Sequence, residues 1–97
     1  MDHFKVRWNH DFPDEPVWLY SEIDGARREI RKVEIFAGGR SQWADASHAT
    51  GDTVLSAEPL PAIKEIEEQS GFEPTMITRN EFERVWRKAR KETLENK

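Results

Sequence analysis

Val17-Trp18-Leu19-Tyr20-Ser21-Glu22-Ile23-Asp24-Gly25, running on through Arg27 to Phe36, is the stretch on which the fold turns. From Val17 to Ile23 the side chains alternate, so Val17, Leu19 and Ile23 point one way and Trp18, Tyr20 and Glu22 the other. Period-two alternation marks a strand with two distinct faces. Asp24-Gly25 is a hairpin signal, because glycine accepts the positive φ that tight hairpin turns require. The strand that follows shifts phase between Ile30 and Val33, which requires a bulge if both are to share a face.

Working outward, Phe4-Lys5-Val6-Arg7-Trp8 alternates in the same way and predicts a preceding strand. Gly38-Gly39 predicts a second turn, and Arg40 to Ala44, carrying Trp43, a fourth strand. The expectation is an antiparallel meander with strands at about 3–9, 16–23, 27–36 and 40–44. Thr53 to Ser56 offers a short fifth strand. The second half changes character. Pro61 suits the first turn of a helix, where its missing N–H costs nothing. That helix covers about 61–69, with Ile63 and Ile66 inward and Ser70-Gly71 as its stop.

The last helix, about 79–92, has the best-marked start in the chain. Thr78 is its N-cap, Glu81 completes a capping box, and Ile77 and Phe82 occupy the staple positions. Phe82, Val85, Trp86 and Ala89 recur at helical spacing and should cover the sheet. The charged tail from Lys91 to Lys97 is expected to fray. Strands followed by helices predict an α+β domain spanning 1–97, with both helices on one sheet face.

At 97 residues there is room for one core. The four tryptophans and five phenylalanines supply much of its apolar area. The 15 basic and 19 acidic side chains give a net charge of −4, which argues against a nucleic-acid binder built on overall positive charge. Basic residues do gather at Arg27, Arg28, Arg31, Lys32 and Arg40, but Glu29 and Glu34 interrupt them. The absence of cysteine removes disulfides, zinc-thiolate sites and thiol nucleophiles together. Neither a leader nor a stretch of membrane-spanning length appears, so a cytoplasmic location is expected.

The pattern Arg7-Trp8-x-His10-Asp11-x-Pro13-x-Glu15-Pro16-Val17-x-Leu19-Tyr20-Ser21-Glu22-x-Asp24, then Arg31-Lys32-Val33-Glu34-Ile35-Phe36-x-x-Gly39-Arg40, resembles a family of small bacterial proteins of unknown function. The likeness continues through Pro59-Leu60-Pro61 and the Thr78 helix start. It implies no catalytic residue. By analogy it points to small immunity proteins, which are compact, acidic and poor in cysteine.

Chemistry concentrates in the loop His10-Asp11-Phe12-Pro13-Asp14-Glu15. An imidazole beside three carboxylates can bind a partner, hold a metal or move a proton. The competing reading is a turn in which Asp11 or Asp14 caps backbone N–H groups. Ser47, His48 and Asp45 compose a triad on paper, yet no glycine-flanked serine supplies the nucleophile elbow. Trp18, Tyr20 and Glu22, if they face solvent, form a partner-binding patch with His10, Asp11, Asp14 and Glu15. If the phase is reversed they form the core, or a dimer mate covers them. The function expected is a non-enzymatic protein-binding module, immunity-type or regulatory, with a basic partner and without cofactor or metal. A nucleic-acid-handling protein or a hydrolase using His10 and Asp11 is the alternative.

Overall fold

The computed structural model describes residues 1–95, and the side chains as far as Thr93. The strands are β1 (Asp2–Trp8), β2 (Trp18–Ile23), β3 (Glu29–Ile35), β4 (Ser41–Ala44) and β5 (Phe72–Met76), with helices α1 (Ile63–Glu67) and α2 (Arg79–Glu95). All pairings are antiparallel, in the order β4-β3-β2-β1-β5. The α+β class and the meander of the first four strands follow the alternation in the sequence. The fifth strand is Phe72–Met76, however, and Thr53 to Ser56 is irregular.

Pro74 makes β5 look unlike a strand, and its position explains why it is tolerated. Asn9 N–H donates to the Gly71 carbonyl and Ile77 N–H to that of His3, so the odd-numbered residues between them turn toward β1. Pro74 therefore directs its missing N–H at the free edge, where it also discourages pairing with another chain.

Two hairpin loops share one geometry. In the first, Asp24 N–H bonds the Arg28 carbonyl and Arg27 N–H the Asp24 carbonyl; in the second, Phe36 N–H bonds Arg40 and Gly39 N–H bonds Phe36. Each is a three-residue loop whose last member has positive φ, Arg27 at 64° and Gly39 at 91°. The first turn thus places its positive φ at Arg27 and not at Gly25. Arg27 is held there by its guanidinium, which donates to the carbonyls of Leu60 and Pro61. That contact ties the hairpin to the segment crossing the sheet.

The phase shift in β3 is a bulge. Glu22 pairs with Arg31 and Ile23 with Glu29, leaving Ile30 as the extra residue. The bulge sends Arg31 and Glu29 to opposite faces.

The helices also lie on opposite faces, which corrects the expectation of a shared one. Phe4, Val6 and Ile23 pack with Ile66 of α1. Tyr20, Val33 and Trp43 pack with Phe82, Trp86 and Ala89 of α2. Both sheet faces are apolar, so each needs its own cover. The chain leaves β4, crosses one face through Thr53 to Glu67, forms β5 on the far edge, and returns over the other face as α2. Thr78 Oγ1 accepts the Glu81 N–H at 3.1 Å, as the cap motif predicts. Glu81 itself turns to Lys5, 3.0 Å away. α2 continues past Arg90 to Glu95, and Thr93 Oγ1 accepts the Trp43 indole N–H at 3.2 Å. Asn96 and Lys97 lie outside the described residues.

Candidate functional site

His10 is fixed by its own backbone. Its Nε2–H donates to the Pro16 carbonyl at 2.8 Å, and its Nδ1 accepts the Phe12 N–H at 2.9 Å. A carbonyl only accepts and an amide N–H only donates, so these partners define the tautomer. Both ring nitrogens are occupied in closing the loop, which leaves His10 no direct part in proton transfer in this conformation. The ring is also the centre of an aromatic column. Its centroid is 4.2 Å from that of Trp8 and 5.3 Å from that of Phe12, and Trp8 stacks on Phe72 at 5.6 Å. This column rests on β1 and β5 and ends in Phe12, which is 61% exposed.

Asp11, Asp14 and Glu15, neighbours of Phe12 in the same loop, are exposed. Asp14 and Glu15 form one wall of a groove of about 600 Å³ whose other carboxylates are Glu34 and Asp52. Arg40 also lines it, its guanidinium lying over the Phe36 ring at 4.6 Å. Among the described residues, no group of three or more His, Asp or Glu side chains is placed to hold a metal ion.

Trp18, Tyr20 and Glu22 do not join this loop. They share the face covered by α2, while Leu19 and Ile23 pack on the α1 side, so both faces of β2 belong to the core. Tyr20 and Glu22 are buried and Trp18 is half-buried, with Lys5 and Arg7 over its ring at 5.3 and 5.5 Å. Burial raises the Tyr20 hydroxyl pKa. The expectation of a solvent-facing patch at these three residues is corrected: Phe82, Trp86 and Ala89 need an apolar floor, and Tyr20 and Val33 provide it.

Glu22 sits at the centre of an ionic cluster under α2. It accepts from Arg31 Nε and Nη2 at 2.7 and 2.8 Å and from His3 Nε2–H at 2.8 Å. Arg31 reaches on to Glu83 of α2, and its guanidinium lies over Phe82 and Trp86 at 4.9 and 5.0 Å. The Arg31 hydrogen bonds hold the Glu22 carboxyl at about 2 despite its desolvation. Arg31 lowers Glu83 in the same way, and the Arg31 pKa is raised. Every charged member has an opposite partner, which is what a structural cluster needs.

The basic residues of β3 do not make a strip. Arg31 faces α2, whereas Lys32 faces the other side and bonds the Val54 carbonyl. Ser47, His48 and Asp45 form no triad. The Asp45 carboxylate accepts the backbone N–H groups of Ser47 and His48 at 2.9 and 2.8 Å, closing a turn. Phe12 is the site residue that loop chemistry alone overlooks; an aromatic set between acids in a proline-bounded loop was its signal.

Fold and site together define a small α+β domain in which a loop closed by His10 presents an exposed aromatic side chain and three exposed carboxylates. The chain belongs to the family described as a domain of unknown function (DUF6881), whose model matches residues 2–91. The resemblance read from the sequence is borne out at that level. No curated protein and no solved structure gives a match. No helix among the described residues is long and apolar enough to cross a membrane.

Proposed function

We propose that this chain is a non-enzymatic protein-binding module, a cytoplasmic immunity-type or regulatory inhibitor whose partner is a basic bacterial protein. The observation that carries this reading is Phe12, a large aromatic left 61% exposed at the end of an aromatic column, in the same loop as the exposed Asp11, Asp14 and Glu15. A rigid aromatic anchor loses little conformational freedom on binding, and such anchors dominate interface energetics. The carboxylates of the same loop complement a basic surface, accelerating encounter and excluding acidic partners. The use of both His10 ring nitrogens in loop closure favours recognition over acid–base chemistry at this loop.

The test is quantitative capture from host lysate, with wild type, Phe12→Ala and the double variant Asp14→Lys/Glu15→Lys as bait, at low and moderate salt. One basic protein recovered near stoichiometry by wild type alone, and more weakly as salt rises, supports the reading. Equal recovery by all three baits, or recovery of nucleic acid in place of protein, overturns it.

A further inference from the structure

We propose that the sheet face under α1 holds a binding site for a small apolar molecule ending in a carboxylate, with Lys32 as the residue that receives the head group. A cleft of about 240 Å³ lies there, sharing no lining residue with the acidic groove. The strand register lays out its direction. Lys32 on β3 is opposite Ser21 on β2, Ser21 is opposite Phe4 on β1, and β5 with Phe72 lies beyond. The cleft therefore runs from a polar end across Leu19, Phe4 and Val6 to a far end lined by Ile66 and Phe72, with the exposed Gln69 beside them.

The polar end has one unmatched capacity, and it is a donor. The Glu29 side chain is 1% exposed and is satisfied by Ser21 Oγ–H and Ser56 N–H, each at 2.8 Å, and by Lys32 Nζ at 3.3 Å. An ammonium carries three N–H donors. Those of Lys32 serve the Val54 carbonyl at 2.9 Å and Glu29, and its side chain is still 17% exposed. A third donor on a cation at the cleft mouth selects an acceptor. An ionised acceptor makes a hydrogen bond roughly twice as strong as a neutral one. The apolar remainder takes the tail, and the volume falls below the roughly 300–1,000 Å³ of sites for drug-sized ligands, so the tail is short. This site is independent of the protein-binding loop.

The probe is hexanoate, titrated into the full chain and followed by methyl NMR, with hexanamide as the neutral comparison. The expected result is saturable shifts at Val6, Leu19, Leu60 and Ile66, none at Val33 and Val85 under α2, and binding of hexanamide about tenfold weaker. Lys32→Gln should bring hexanoate down to the hexanamide level. No saturable shift, shifts spread to Val33 and Val85, or equal binding of the two probes by wild type overturns the proposal. If Lys32→Gln does not fold, the wild-type comparison decides alone.

Discussion

Arg31 grips Glu22 through two parallel hydrogen bonds, Nε to Oε1 at 2.7 Å and Nη2 to Oε2 at 2.8 Å. The bulge at Ile30 makes this possible. It directs Arg31 toward α2, where the same guanidinium also meets Glu83, while Glu29 goes to the other face and pairs with Lys32. One inserted residue thus sorts two ion pairs between the two covers of the sheet.

Removing one member of this cluster should be severe. Glu22→Gln leaves Arg31 and His3 without their shared carboxylate and should destabilise the fold by about 3 kcal/mol, measured by urea denaturation. Replacing both Glu22 and Arg31 by methionine should cost less than the sum of the single changes. Additive losses would mean the two residues are not coupled.

The same carboxylate sets an acid dependence. The Glu22 pKa is about 2 in the folded chain against an ordinary 4.5, so folding favours its ionised form. Its contribution is complete above about 4.5 and is lost as pH falls toward about 2; Glu83, also lowered by Arg31, acts with the same sign. Urea midpoints measured across that range should decline in wild type and decline less in Glu22→Gln. Parallel declines would remove Glu22 as the source.

Trp86 is 6% exposed and meets Trp43 edge-on at 5.2 Å. Trp86→Ala should cost on the order of 3–5 kcal/mol. Exposed Arg87→Ala, one residue on, should stay within about 0.5 kcal/mol. Similar denaturation curves for the two variants would contradict the orientation of α2.

Gly38 and Gly39 make a controlled pair. A methyl group at either meets nothing within 4 Å, but only Gly39 has positive φ, at 91°. Gly39→Ala should lose about 1 kcal/mol or more from backbone strain alone, and Gly38→Ala almost nothing. Equal melting temperatures would show that the turn relaxes.

His10→Ala should lower stability by about 1–2 kcal/mol and leave the fold intact, because two backbone groups lose their partner. Amide exchange at Phe12 should accelerate with it. Unchanged protection there would mean that the imidazole does not close the loop.

Much of this was legible residue by residue. The alternation in β1 and β2, the Thr78 cap and the spacing of Phe82, Val85, Trp86 and Ala89 are local signals that appear where the pattern put them, and the bulge expected between Ile30 and Val33 falls at Ile30 itself. β5 was not legible, because Pro74 argues against a strand until its neighbour is known to be absent on that side. The loop was half legible: its carboxylates are exposed as expected, but the role of His10 depends on a carbonyl six positions away meeting its ring.

What the sequence determined by itself was therefore the first four strands, the two helices and the Thr78 cap, since these follow from φ preferences, side-chain period and hydrogen bonds within a few residues. Only the tertiary structure decided that both faces of β2 are buried, that the helices cover opposite faces, and that Glu22 is an anchor of the core. A strand with Val17, Leu19 and Ile23 on one side and Trp18 and Tyr20 on the other is apolar both ways. Its orientation is settled by partners distant in the chain, Ile66 beneath and Trp86 above.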